Sequence, residues 1–164
     1  MKYQRFEDLP VWQTAMDFAV HADALSQDRA FNGHGDARDQ LQRAALSISN
    51  NIAEGFERGT TPERLSYIYI ARGSAGESRS ILRFCQRVEW LAHRRLEVDL
   101  LIAEVESVSR QLYGWADSLQ NSDIKGQRHL NDQTRANYDQ ARRADAFWQK
   151  LQEVREGKRK PEDL

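Results

Sequence analysis

The 164-residue chain has one cysteine, three prolines and no apolar run of membrane-spanning length. Each shortage excludes a class of protein. With Cys85 alone no intrachain disulfide forms, and a lone cysteine inside an apolar helical stripe reads as a small core residue. Without about 20 consecutive apolar residues there is no transmembrane helix, and the N-terminus lacks the apolar region of a signal peptide. The expectation is a cytoplasmic protein with no membrane partner. Charge of one sign is lacking too: 24 Lys+Arg stand against 25 Asp+Glu, for a net −1. That leaves no global electrostatic case for nucleic acid or an anionic membrane. The balance holds along the chain, with 14 basic against 17 acidic residues in 1–120 and 10 against 8 in 121–164. Signatures of chemistry are also missing. There is no phosphate-binding loop, dinucleotide fingerprint, nucleophile elbow or HExxH. His21, His34, His93 and His129 lie far apart, and no Glu-x-x-His occurs, which disfavours a di-iron bundle. No metal, cofactor or small-molecule substrate is expected, and the chain is not expected to be an enzyme.

Helical periodicity, by contrast, is abundant. Val11, Ala15, Phe18, Ala22 and Leu25 repeat at 4-3-4-3 spacing, as do Leu41, Ala45, Ile48, Ile52 and Gly55. Tyr67, Ile70, Ser74, Glu77, Ile81, Phe84, Val88 and Leu91 continue at 3-4-3-4, and Val98 to Leu119 gives the cleanest stripe. Punctuation separates the four. Asp8 with Pro10 opens the first helix, which runs to about Gln27. The glycine-rich stretch 29–36 is a loop, from which Phe31 is expected to tuck over the bundle end and Asp36 to cap the second helix. Gly59 ends that helix, and Thr60 with Glu63 forms a capping box for the third, which is expected to run to about Leu91. Short connections and heptad stripes predict an all-α, up-down-up-down antiparallel four-helix bundle over 1–120. Residues 121–164 form a second part: a polar linker, an amphipathic helix over about 135–156 bearing Tyr138, Ala141, Ala144, Phe147, Trp148, Leu151 and Val154, and a frayed GKRKPEDL end. That helical tail packs either on its own bundle or on another subunit.

Two polar features interrupt the apolar pattern. In the third stripe, Ser74 and Glu77 fall mid-seam beside Gly73 and Gly76, glycines that let another helix approach. A Glu in a seam needs a partner, and Arg43 lies at the same level of the hairpin. A buried Arg43–Glu77 pair predicts that Glu77→Ala costs on the order of 3 kcal/mol. The second feature is the polar side of the second helix, Arg43, Ser47, Asn50, Asn51, Glu54 and Arg58. Serine and asparagine are poor mid-helix residues, so this side reads as a solvated face, an inter-subunit contact or an RNA-facing surface.

These residues carry a resemblance. FEDLPVWQTAMDFA from Phe6, QLQRAALSISNNIAEGFERGT from Gln40 and IARGSAGES from Ile70 resemble the four-helix-bundle family of proteins encoded in 23S rRNA intervening sequences. The avd-type accessory proteins of diversity-generating retroelements are relatives in the same superfamily. The resemblance covers about residues 3–120. It implies a homopentameric barrel without enzymatic activity, and carries the family pattern onto Arg43, Ser47, Asn51, Glu54 and Gly55, and onto Gly73, Ser74 and Glu77. The first functional expectation is therefore a non-enzymatic, self-associating scaffold or accessory protein. The alternative is a nucleic-acid-binding accessory factor, partner of a reverse transcriptase or ribonucleoprotein, acting through Arg83, Arg87, Arg94 and Arg95.

Overall fold

A computed structural model of the chain describes residues 3–121 and 132–155. The described residues fall into two compact units, one within 1–127 and one within 128–164. The first unit contains α1 (Pro10–Ser26), α2 (Gly35–Glu57), α3 (Thr61–Cys85) and α4 (Arg95–Gln120). Each helix packs on its two sequence neighbours, and α4 closes back onto α1. The result is an up-down-up-down four-helix bundle with α1 diagonal to α3. The second unit contributes one helical tail, α5 (Asp132–Arg155). The polar linker expected from 121 falls mainly on 122–131, and the frayed end on 157–164; both lie outside the described residues.

Three of the four predicted stripes form the core. Val11, Ala15, Phe18, Ala22 and Leu25 of α1 are buried, as are Leu41, Ala45, Ile48, Ile52 and Gly55 of α2. In α4, Val98, Leu101, Val105, Val108, Leu112 and Leu119 are buried, and Trp115 packs against the core from its edge. Each large aliphatic so enclosed contributes roughly 1.5–3 kcal/mol.

The third stripe is displaced. The buried side of α3 is Thr61, Arg64, Ile68, Ala71, Ala75, Ser78, Leu82 and Cys85. From Ile68 to Cys85 this is the predicted stripe moved by one residue at every position. Ile70, Glu77 and Phe84 are therefore exposed, and Ser74 and Ile81 half-buried. The cause is chemical. Between the large buried side chains Ile68 and Leu82 the real seam is Ala71, Ala75 and Ser78, small enough for α3 to lie close against its neighbours, while Ile70 and Ile81 stand one position away. Cys85 belongs to this seam, and burial pushes its thiol up to about 11.

Helix ends also differ in detail. Pro10 occupies the first turn of α1, but Leu9, not Asp8, holds the cap position; Asp8 sits in a preceding 3-10 turn, Phe6–Asp8. Asp36 lies in the first turn of α2 while His34 takes the cap position. Arg58, in extended conformation, terminates α2 ahead of Gly59. Thr60 caps α3 as expected: its Oγ1 accepts from the Glu63 amide at 3.4 Å and donates to Glu63 Oε2 at 2.6 Å. α3 ends at Cys85 rather than Leu91. Val88 is extended, and a 3-10 turn, Glu89–Arg94, leads into α4 with Leu91 buried.

Candidate functional site

The outer cleft between α2 and α3 collects most of the polar residues singled out by sequence. The two helices are joined by residues 58–60 only, so they run antiparallel and in fixed register. At mid-length Ser47 of α2 meets Ser74 of α3, with Oγ to Oγ 2.9 Å. Ser74 Oγ donates to the Ile70 carbonyl at 3.2 Å, so Ser47 donates to Ser74. Asn51 Nδ2 then donates to Ser47 Oγ at 3.0 Å and to the Ser47 carbonyl at 2.7 Å. The outcome is a directed chain, Asn51 to Ser47 to Ser74 to Ile70. These poor helix formers are tolerated because each hydroxyl finds a partner and none is bulky enough to hold the helices apart.

Nearer the turn, Glu54, Arg58 and Tyr67 form a compact surface cluster. Glu54 Oε1 accepts from Tyr67 Oη at 2.7 Å and from Arg58 Nη2 at 2.6 Å, and Arg58 also donates to Tyr67 Oη at 2.8 Å. The Arg58 guanidinium lies over the Tyr67 ring, 5.0 Å from its centre. The hydrogen bond from Tyr67, reinforced by Arg58, holds the Glu54 carboxyl below its ordinary range. The same bond to Glu54 raises the Tyr67 phenol. A phenol made harder to deprotonate is the reverse of an activated nucleophile. The cluster reads as a clasp.

Arg43 and Glu77 share a level, as expected, but both are exposed, and no ion pair joins them among the described residues. The expected buried pair is corrected on this point: with the α3 seam one residue over, Glu77 faces solvent and needs no partner. Glu54 is likewise a surface residue. Among the described residues nothing lies within 4 Å of a Cβ placed on Gly73 or Gly76.

Sequence reasoning placed Gly55 in the α2 stripe but missed Arg64, the side chain that meets it and draws the hairpin together. Arg64 is buried, and its guanidinium donates to the carbonyls of Gly55 (3.2 Å), Phe56 (2.7 Å) and Arg58 (3.5 Å), the unsatisfied end of α2. It also lies over the Phe56 ring at 5.2 Å. A Cβ on Gly55 would stand 2.8 Å from Tyr67 Cβ and 3.4 Å from the Arg64 carbonyl. The available signal was an Arg within one turn of a helix start, next to a glycine-ended helix.

The four arginines proposed for nucleic acid do not form one free patch. Arg83 pairs with Glu106 at 3.3 Å. Arg94 is half-buried, paired with Glu97, and stands 3.8 Å from Asp28. Arg87 and Arg95 are exposed. Around Arg94 the two links at this end of the bundle are tied together. Asp28 accepts from the Ala30 amide at 2.8 Å and contacts His93 Nε2 at 3.1 Å, which keeps its carboxyl below the ordinary range. Phe31, buried as expected, meets Trp90 edge-on at 5.2 Å, and His34 stacks on the same indole at 4.2 Å. Among the described residues no group of three or more His, Cys, Asp or Glu side chains is placed to hold a metal, and no helix is long and apolar enough to cross a membrane.

The sequence model of the 23S rRNA-intervening sequence proteins matches residues 7–114, which span the four helices. The chain belongs to the 23S rRNA-intervening sequence protein family. A crystal structure of a protein of unknown function from the S23 ribosomal protein family of Bacteroides thetaiotaomicron shares this fold. It is 19% identical, with a TM-score of 0.57, and the match covers 65% of this chain and 97% of that one. None of the curated proteins matches the chain. The family match ends before α5, so this member adds a helix beyond the region its family model covers.

Proposed function

We propose that this family member is a non-enzymatic four-helix bundle that assembles with copies of itself in the cytoplasm, in a scaffold or accessory role. One observation carries the reading. The outer side of α3 presents heptad-spaced apolar and glycine residues to solvent, beside polar groups that already satisfy one another. A heptad stripe that lies outside the core of the four-helix unit is a packing surface not used by that unit. The resemblance read from the sequence points to five copies, and its likeness to avd-type accessory proteins favours an accessory role over catalysis. Light scattering or native mass spectrometry on the full chain tests the assembly. A multimer is expected at micromolar concentration, and a clean monomer there overturns the reading.

The family's name associates it with rRNA. Of the four arginines considered for such contact, Arg87 and Arg95 carry no ion pair among the described residues. Two phosphate contacts give weak binding, with a shallow salt slope no steeper than about −2. A gel-shift assay with duplex or single-stranded RNA is expected to show no retention at physiological salt. Tight retention there would promote the nucleic-acid alternative.

A further inference from the structure

The outer groove between α3 and α4 holds charged residues that the reading above does not use. Four contacts set its register. From one end to the other, Gln120 donates to Tyr69 Oη, Arg72 lies over Tyr113, Arg83 pairs with Glu106, and Gln86 donates to Asp99. The two helices are therefore antiparallel. Tyr69, Arg72, Gly76, Arg79 and Arg83, spaced 3-4-3-4, share the side of α3 that borders α4. Between the second and third contacts this register sets Gly76 and Arg79 opposite Ser109 and Arg110 of α4.

That stretch has donors without acceptors. Arg72 is half-buried, its guanidinium stands 5.2 Å from the centre of the Tyr113 ring, and its Nε is buried with no hydrogen-bond partner. Among the described residues no other arginine is withdrawn from solvent without meeting an acceptor. Arg79 and Arg110 are exposed and carry no ion pair among the described residues. The acidic groups of the same groove are engaged, Glu106 with Arg83 and Asp117 with Asn121. Glu77 lies about 160° round the helix from Arg79 and faces away from the groove. Open space stands above Gly76. A guanidinium drawn out of water with unmet donors is unfavourable until an oxyanion supplies the acceptors.

We propose that the groove formed by Arg72, Arg79 and Arg110 binds a phosphate monoester. A monoester brings nearly two charges and three acceptor oxygens, in keeping with three guanidinium groups around an open glycine floor. Arg72 supplies a bidentate fork, and Arg79 and Arg110 flank it from the two helices. None of these three arginines belongs to the set weighed for RNA. The inference goes beyond the self-association reading and does not depend on it.

The test is isothermal titration calorimetry of the full chain with inorganic phosphate and with a nucleoside monophosphate, at matched ionic strength. Saturable, submillimolar binding is expected. Tighter binding of the nucleotide identifies a nucleotide as the source, with the exposed Tyr113 ring as its platform. Equal binding identifies the phosphate group alone, and both results support the site. Arg79→Gln with Arg110→Gln is expected to keep the wild-type far-UV circular dichroism and to weaken binding at least about tenfold. Gly76→Glu, which sets a carboxylate on the floor and leaves every arginine in place, is expected to weaken it by a similar factor. Absence of saturable binding of both ligands overturns the proposal, as does wild-type-like binding by either variant. Light scattering reads self-association separately, so either reading can fail alone.

Discussion

Gly55 and Gly73 both sit inside helices, yet a methyl group has opposite consequences at the two. At Gly55 the new Cβ would meet Tyr67 Cβ at 2.8 Å, an atom fixed to the α3 backbone. The hairpin must open to admit it, at a cost of about 1–3 kcal/mol, despite alanine's better helix propensity. At Gly73 the space is empty, so alanine is expected to stabilise the isolated bundle by about 0.5–1 kcal/mol. Urea melts of Gly55→Ala and Gly73→Ala separate the two, and equal signs would contradict the packing described. Glu77 offers a companion test. Because it is exposed, Glu77→Ala is expected to fall within about 0.5 kcal/mol of wild type. A loss near 3 kcal/mol would restore the buried pair with Arg43.

At the scale of elements, α2 and α3 act through the Arg64 guanidinium, which caps the end of one helix from the first turn of the next. Replacing Arg64 with Ala leaves the Gly55 and Phe56 carbonyls without this donor. It is expected to cost about 2–3 kcal/mol, the range for charge-assisted bonds, as a shift of the denaturation midpoint at unchanged slope. Helices α1, α2 and α4 were legible because their heptad-spaced apolar stripes, with Phe18 and Leu25, Ile48 and Ile52, Leu101 and Leu112, are their buried sides, while off-stripe apolar residues such as Val20, Leu46 and Leu100 stand exposed. In α3 that equivalence fails. Ile70 and Phe84 outweigh Ala71 and Cys85 in hydropathy, so the eye follows the wrong stripe. What decides the burial is the close approach of α2, which small residues permit and hydropathy does not encode. The Ser47–Ser74 contact was partly legible: the two serines were flagged as out of place, but their meeting across the cleft depends on a register set by the 58–60 link. Arg64 was illegible for a different reason, since a buried cation is explained only by carbonyls that tertiary structure brings to it.

For the molecule as a whole, two histidine contacts join elements distant in sequence, and their acid–base behaviour runs in opposite directions. Glu104 raises the His21 imidazole above its ordinary value, first by hydrogen bonding and then by charge. Its contribution is therefore present below about pH 6.5, the unfolded value, and fades as pH rises through the folded one. Asp28 is held low, so its contribution is present above about pH 4 and fades as pH falls through the folded value. Thermal stability is expected to be greatest between these limits. Because His21 is more than half exposed, His21→Gln is expected to cost only a few tenths of a kcal/mol at about pH 5.5. It is expected to cost nothing by about pH 8, and an undiminished difference at the higher pH would refute the contact. The brevity of the 58–60 link also bears on the order in which the chain acquires its structure. Closing three residues carries little loop entropy, whereas uniting α1 with α4 must gather the 68 residues between Ser26 and Arg95. The α2–α3 hairpin is thus the natural nucleus, and the clash introduced by Gly55→Ala should appear as slower refolding with an almost unchanged unfolding arm of the chevron.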